Sequence, residues 1–335
     1  MTVPTPTEGE PVWIDVDDPT AAGSVRRAGV GLATDAGLSP KTVSNLAIVA
    51  TELATNLACH ADRGTVMMRV RRSSDRLGFE IIAIDRGPGM PDLVDSIRDG
   101  VSSAGTLGIG LGAVARMTDE LHAYSRPGAG TVIAATLWDG SAPPPAWVAG
   151  ARRPVAGENV CGDGYTARAD GGRRQVMVCD GLGHGPIAAI AASAVVAEFV
   201  AAPAGDPAAM LERLHERTHH TRGSVVAIAE LDVDAGVVRY AGVGNISGTI
   251  LSGGQRRRMV SLPGIVGQQR REIREFTYPV AAGDLLIMHS DGLTDRWDLA
   301  PYPGLSERAP VLIAATLLRD HAKRRDDACV LVARA

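Results

Sequence analysis

Four aspartates in the second half of this chain fall where a backbone turns sharply. They are Asp163 in Cys161-Gly162-Asp163-Gly164, Asp180 in Cys179-Asp180-Gly181-Leu182-Gly183-His184-Gly185, Asp291 in His289-Ser290-Asp291-Gly292, and Asp326 in Arg325-Asp326-Asp327-Ala328. An Asp-Gly pair alone is ordinary turn chemistry. Here Asp180 and Asp291 each end an apolar run of strand character, and the four are spread across the half-chain, as expected if remote segments converge on one oxygen-rich cluster. Oxygen-only donors suit Mg2+ or Mn2+, hard ions that keep several waters. A pair of such ions can activate a water for in-line attack on a phosphomonoester, with no side chain acting as nucleophile.

A second constellation lies in the first half. Glu52 and Asn56, four apart, project from one polar strip of a helix beside Leu53 and Leu57. The run Asp85-Arg86-Gly87-Pro88-Gly89 follows directly on an apolar strand. An aspartate there can accept a hydrogen bond from an adenine exocyclic amine, while Gly87 and Gly89 let the backbone pass close to the base. Gly105-Thr106-Leu107-Gly108-Ile109-Gly110-Leu111-Gly112 then opens a helix, whose first N–H groups suit phosphates without a lysine. That matters because the only lysines are Lys41 and Lys323, and neither stands in a Walker A loop or beside a kinase Gly-rich loop.

The elements that must position these residues follow from periodicity. Residues 41–60 have helical spacing, strands are expected at 65–71 and 79–84, a helix at 111–118, and strands at 120–125 and 131–138. The second half predicts strands at 174–179, 224–231, 236–243, 284–290 and 327–333, with helices at 186–202, 207–219 and 309–322. Sheets covered by helices in an α+β layering follow. The triple proline in 141–150 reads as a linker between domains at 1–140 and 151–335. A net charge of −4 predicts no general attraction to nucleic acid or anionic membrane. The scattered cysteines (Cys59, Cys161, Cys179, Cys329) exclude a C-x-x-C zinc site and fit a reducing cytoplasm. Met1 to Glu10 has no signal-peptide pattern, and the alanine-rich stretch 187–204, interrupted by Glu198, reads as a packed helix.

In this order, the first-half motifs resemble the boxes of the GHKL ATPase superfamily. In detail they are similar to the RsbT-like anti-sigma-factor kinases: Thr51-Glu52-Leu53-Ala54-Thr55-Asn56, the Asp85 run, Asp99-Gly100-Val101-Ser102-Ser103, and Gly108-Ile109-Gly110-Leu111-Gly112 with Arg116-Met117. The resemblance spans roughly 10–138 and implies an ATP-binding Bergerat α/β sandwich. It also implies Asn56 as Mg2+ ligand, Asp85 as adenine anchor and Glu52 as the base activating a substrate serine or threonine. His60 continues the Glu52–Asn56 strip and reads as a packed or capping residue, with contact to a phosphate as the alternative.

Residues 150–334 resemble the SpoIIE/RsbX branch of the PPM phosphatases, an α-β-β-α sandwich. Val243-Gly244-Asn245-Ile246 with Thr221-Arg222-Gly223 is closest to the RsbX pattern. By that resemblance Asp180 bridges two Mn2+ or Mg2+ ions, the Gly181 carbonyl binds one, Asp291 and Asp326 complete the site, and Asp163 holds a water on the metal. The pattern puts the ligand at Asp326 rather than Asp327. His184 reads as either a general acid near the metals or a cap for the next helix. His219-His220 reads as a solvated helix end, and Arg222 as a candidate for the substrate phosphate.

Together the resemblances imply a cytoplasmic bifunctional switch, a kinase and a phosphatase acting on STAS-domain antagonist proteins, with a downstream regulator and a second copy of the chain as further partners. The alternative leaves the first domain a non-catalytic ATP-sensing or anti-sigma-like binding module. A plain ATPase with an unrelated tail would have to explain all four aspartates as turns.

Overall fold

The helix expected over 41–60 runs Pro40–His60 and buries Leu46, Val49, Ala50, Leu53 and Leu57 along one stripe. Ser39 caps it, accepting from the Thr42 N–H at 3.3 Å, with proline at its first position. Asp139, a hundred residues on, holds that cap by accepting from the Ser39 N–H at 2.6 Å and the Ser39 Oγ at 2.8 Å, and from the Thr42 hydroxyl.

The structure is a computed structural model describing residues 2–3, 7–73, 76–90, 110–140, 147–170, 172–269 and 272–335. It divides into two units, Pro6–Pro145 and Met1–Thr5 with Ala146–Ala335. In chain order the described elements of the first part are β1 (Thr2–Val3), β2 (Thr7–Glu8), β3 (Val12–Val16), α1 (Ala21–Ala36), α2 (Pro40–His60), β4 (Gly64–Ser73), β5 (Arg76–Ile84), α3 (Gly110–Met117), β6 (Glu120–Ser125) and β7 (Thr131–Asp139). The remainder carries β8 (Val148–Arg153), β9 (Asp163–Asp170), β10 (Arg173–Gly181), α4 (Gly185–Ala201), α5 (Pro207–Arg217), β11 (Ser224–Asp232) and β12 (Val237–Val243). After these come β13 (Ser247–Ser252), β14 (Gln255–Met259), β15 (Phe276–Pro279), β16 (Leu285–His289), α6 (Pro310–His321) and β17 (Ala328–Arg334).

In the unit Pro6–Pro145 an antiparallel sheet runs β2-β4-β5-β7-β6, with β3 also on β4. Val25 and Ala33 of α1, with Leu46, Val49 and Leu53 of α2, pack on Val66 and Met68 of β4 and Phe79 and Ile81 of β5. Alternate residues share a sheet face, and the intervening Met67, Ile82 and Ala134 are buried too, so these strands read as near-continuous apolar runs.

The second unit is a sandwich of two antiparallel sheets, β1-β9-β10-β11-β12-β15 and β14-β13-β16-β17-β8. Alternation along β10 decides its layers. Val176 and Val178 join Leu286, Met288 and Leu331 between the sheets. Met177 and Cys179 face the other way, onto Ala192, Val195 and Phe199 of α4 and Leu211 of α5. α6 packs on β8 and β17, completing an α-β-β-α stack.

Two boundaries differ from those read in the sequence. The stretch 141–150 is not all linker, because β8 begins at Val148 and pairs with β17 from Val148↔Ala333 onward. Residues 1–140 do not all fall in the first unit either, since β1 pairs with β9 at the rim of the second unit's sheet. A central strand's hydrogen-bonding groups need a neighbour, and neither short segment carries an alternation that announces it.

Candidate nucleotide pocket and candidate metal centre

In the first unit a cavity of about 540 Å3 opens between α2, the end of β5 and the start of α3, lined by Asn56, His60, Asp85, Gly89, Gly110 and Leu111 among others. Asp85 is buried, and its Oδ1 accepts from the Gly87 N–H at 2.7 Å and the Thr131 N–H at 3.2 Å. These bonds hold the carboxylate at the cavity wall. Gly89 has φ of 70°, and a Cβ there would stand 2.2 Å from the Arg126 carbonyl oxygen, so only glycine fits. Gly87 passes close to the His60 carbonyl, with Cβ space of 3.0 Å. Gly112 is buried in α3. Thr106 and Gly108 lie outside the described residues.

Glu52, one turn before Asn56, is half-buried but is not among the described residues lining the cavity. His60 is exposed and does line it, which departs from the packed or capping reading and leaves the alternative of phosphate contact. Cys59 was missed by sequence reasoning: it lines the same cavity and is the exposed one of the four cysteines.

In the second unit Asp163 starts β9 and Asp180 nearly ends β10, and the antiparallel register sets them directly opposite each other. Asp180, Asp291 and Asp326 line one cavity of about 640 Å3, together with Gly183, His184 and Asn245. Asp163 is buried, outside the lining, and accepts from the Ser290 Oγ at 2.6 Å. Burial first, then the charge of Asp180, raise its pKa well above the ordinary range. Asp180 is pushed up to about 7, by burial and then by the charges of Asp291, Asp326 and Asp327. Asp326 is raised by burial and then by Asp291.

Asp327 does something else. It is buried, its Oδ1 accepts from the Val155 N–H at 2.7 Å and its Oδ2 from the Gly162 N–H at 2.8 Å. Both oxygens are used to pin backbone, and Asp326 is the member of the pair that faces the cavity. The Gly292 turn is packed against the same segment, where a Cβ would stand 1.7 Å from the Asp327 carbonyl oxygen.

The donor set fits a hard divalent ion: oxygen-only, and mutually repelling until a cation arrives. Among the described residues no three acidic, histidine or cysteine side chains converge on one point. The carboxylates are spread around the cavity wall instead, an arrangement that suits ions held by one or two carboxylates and their own waters.

Further groups complete the site. Asn245 Nδ2 donates to Asp291 Oδ2 at 2.8 Å, and Lys323 Nζ to the Asp291 carbonyl at 2.5 Å. Neither had an assigned role in the sequence; the only signal was Asn245's place in the Val243–Ile246 run. His184 occupies the N-cap position of α4 without a side-chain capping bond. Its Nδ1 lies 3.2 Å from Glu158 Oε1, so the ring is aimed by a carboxylate at the cavity's mouth. Arg222 is not among the described residues lining the cavity, but its Nη1 lies 3.6 Å from the Cβ position of Gly183, which does line it.

The comparisons agree with this division. The chain is 34% identical over 115 residues to the serine/threonine-protein kinase RsbT of Bacillus subtilis (strain 168), spanning 34% of this chain and 86% of that one. The histidine kinase-like ATPase domain model matches residues 16–137, and the Stage II sporulation protein E (SpoIIE) model matches 170–335. The first unit belongs to the RsbT family, and the second is similar to SpoIIE over the residues its model matches.

The SpoIIE-type unit overlaps a second relative, the phosphoserine phosphatase RsbX of Bacillus subtilis (strain 168), 25% identical over 138 residues, 41% of this chain and 69% of that one. A solved structure from work on the bacterial stressosome, a modular system adapted to control secondary messenger signalling, is 31% identical with a TM-score of 0.52. It covers 56% of this chain and 98% of its own. In the RsbT-type and SpoIIE-type units alike, among the described residues no helix is long and apolar enough to cross a membrane.

Proposed function

We propose that this protein is a bifunctional switch: its SpoIIE-type unit removes phosphate from serine or threonine of a STAS-type antagonist protein, and its RsbT-type unit adds it from ATP. The observation that carries the first half is the facing of Asp180, Asp291 and Asp326 on one cavity, with Asp180 pushed up to about 7 by burial and its acidic neighbours. That is a site built to gain stability from a divalent cation. Asp180, the Gly181 carbonyl, Asp291 and Asp326 would hold Mn2+ or Mg2+, which when bound supplies a hydrolytic water at neutral pH.

The chain's own residues do the rest. Asn245 and Lys323 hold the Asp291 segment in place. Asp163, opposite Asp180 and tied to Ser290, would hold a water of the bound ion. Arg222, beside Gly183, binds the phosphoryl oxygens. His184, aimed by Glu158, gives a proton to the departing serine or threonine oxygen.

In the RsbT-type unit, Asp85 would anchor adenine and Asn56 would hold Mg2+ with ATP, with Gly110, Leu111 and Gly112, and by the resemblance Thr106 and Gly108, assigned to the phosphates. Glu52 takes the proton of the accepting hydroxyl. One observation favours the second reading, an ATP-binding module without transfer: Glu52 is not among the described residues that line the cavity.

Incubating the purified chain with STAS proteins, ATP and Mn2+ separates these readings. Phosphate appearing and then leaving a serine or threonine supports both activities. Loss without gain leaves the phosphatase alone, and dephosphorylation that survives Asp180→Ala would refute the metal-site assignment.

A further inference from the structure

Asp291 lines the cavity on a loop that closes on itself, Trp297 returning to His289. Trp297 is fully buried and is the largest such side chain. Its Nε1–H donates to His289 Nε2 at 3.0 Å, with the two rings edge-to-face at 6.3 Å. An indole N–H can only donate, so Nε2 is an acceptor and the proton of a neutral ring sits on Nδ1. Nδ1 is 2.8 Å from the Ser290 carbonyl oxygen, which accepts it. The next residue's hydroxyl, Ser290 Oγ, donates to Asp163 at 2.6 Å and accepts from the Cys329 N–H at 3.0 Å.

The outer end of the loop is gripped from the sheet edge. Arg256 of β14 stacks on Trp297, its Cζ 3.9 Å from the ring centroid, and donates to the Trp297 carbonyl. Arg256 and Arg258 both donate to the Asp295 carbonyl, at 3.2 and 3.3 Å. Ser247 Oγ donates to Asp295 Oδ1 at 2.7 Å. Two of the three arginines in the run 256–258 are therefore committed to this loop.

From this geometry we infer that the Trp297–His289 hydrogen bond is a clasp that positions Asp291 and, through Ser290, Asp163, and so sets the affinity of the centre for its divalent ion. The inference rests on the metal reading of the SpoIIE-type unit. Trp297 and His289 are positioning residues: they lie behind the carboxylates and act by fixing the segment that bears them. Partners that orient metal ligands from behind commonly carry tenfold or more of a site's metal affinity.

The test is Mn2+ binding to the full chain, followed by electron paramagnetic resonance of free Mn2+ in wild type, Trp297→Phe, Arg256→Met and, as control, the exposed Arg257→Ala. Trp297→Phe keeps an aromatic filling and removes the donor. Its Mn2+ affinity is expected to fall about tenfold, and phosphatase kcat to recover at saturating Mn2+ with KM for a phosphopeptide unchanged. Arg256→Met, at the sheet edge, loosens the grip without opening the core and is expected to weaken Mn2+ about threefold, with Arg257→Ala unchanged. This second variant decides the matter if Trp297→Phe does not fold. Mn2+ affinity within twofold of wild type in a folded Trp297→Phe or Arg256→Met, whatever the change in melting temperature, overturns the clasp while leaving the metal site standing. Wild-type protein that binds no Mn2+ overturns both.

Discussion

Replacing Asp327 with alanine removes the acceptor for two backbone N–H groups, those of Val155 and Gly162, in a site where the side chain is only 3% exposed. Hydrogen bonds to a charged acceptor contribute about 1.5–3 kcal/mol each, and donors left buried without a partner add to the loss. An opposing effect is present, because Asp327 is one of the charges that push Asp180 and Asp163 up. Subtracting that relief leaves a destabilisation of about 2–4 kcal/mol. In a unit of this size that corresponds to a fall of about 5–15 °C in melting temperature.

Asp326→Ala makes the contrasting case. Its carboxyl faces the cavity and is itself raised by burial and by Asp291. Removing it leaves the metal-free melting temperature level or slightly higher, and lowers Mn2+ affinity at least about tenfold. Differential scanning calorimetry with and without Mn2+ measures both quantities on both variants. If Asp327→Ala melts like wild type but loses Mn2+, while Asp326→Ala keeps Mn2+, the roles of this pair are reversed and the reasoning fails.

Three further outcomes are expected. Cys59 lines the nucleotide cavity and is the exposed thiol, so ATP with Mg2+ should slow its alkylation about tenfold or more, and Asn56→Ala should abolish that protection; equal labelling rates with and without ATP would remove the pocket assignment. Gly89→Ala forces a Cβ to within 2.2 Å of the Arg126 carbonyl at a positive φ, and is expected to destabilise the RsbT-type unit by about 2 kcal/mol or more and abolish ATP binding, read by urea melts and calorimetric titration. Burial pushes the Asp139 carboxyl up, but hydrogen bonds from Thr42 and Ser39 outweigh it and hold the pKa below the ordinary value. Its contribution is therefore complete above about pH 4 and lost as pH falls through the folded value, so the stability gap to Asp139→Asn narrows in acid; a gap constant from pH 6 to pH 3 contradicts this.

The legible parts of the fold are those where burial imposes a strong pattern. β10 announces itself because Val176 and Val178 face one layer while Met177 and Cys179 face the other. α2 is legible because its stripe repeats over many turns. By contrast α1 carries Gly23, Gly29 and Gly31 and buries mainly small side chains, so its helical period is faint. β14 reads Gln-Arg-Arg-Arg-Met, an edge strand whose arginines reach back to loops. β9 mixes aspartate, glycine and arginine and is a strand because neighbours pair with it on both sides.

The candidate sites divide in the same way. Asp163, Asp180, Asp291 and Asp326 were visible because Asp-Gly turns and paired acids stand out at the ends of apolar runs. Asp327 was not separable from Asp326 by spacing alone, since the difference is which carboxylate meets the backbone of Val155 and Gly162. Trp297, Asn245 and Lys323 act through contacts between distant segments, and such contacts leave no local periodicity.

The two-residue strand Thr2–Val3 has a practical consequence for separating the two units. It is synthesised ahead of the RsbT-type unit, yet its partner on β9, Ala169 with Asp170, emerges from the ribosome only after that whole unit. The unit Pro6–Pro145 can therefore fold while this tip waits. A cut within 141–146 does not return the SpoIIE-type unit whole, because it strands this tip on the other fragment and bares the β9 edge to intermolecular pairing. A phosphatase fragment supplied with its own copy of the N-terminal residues, by fusion or circular permutation, keeps that edge covered.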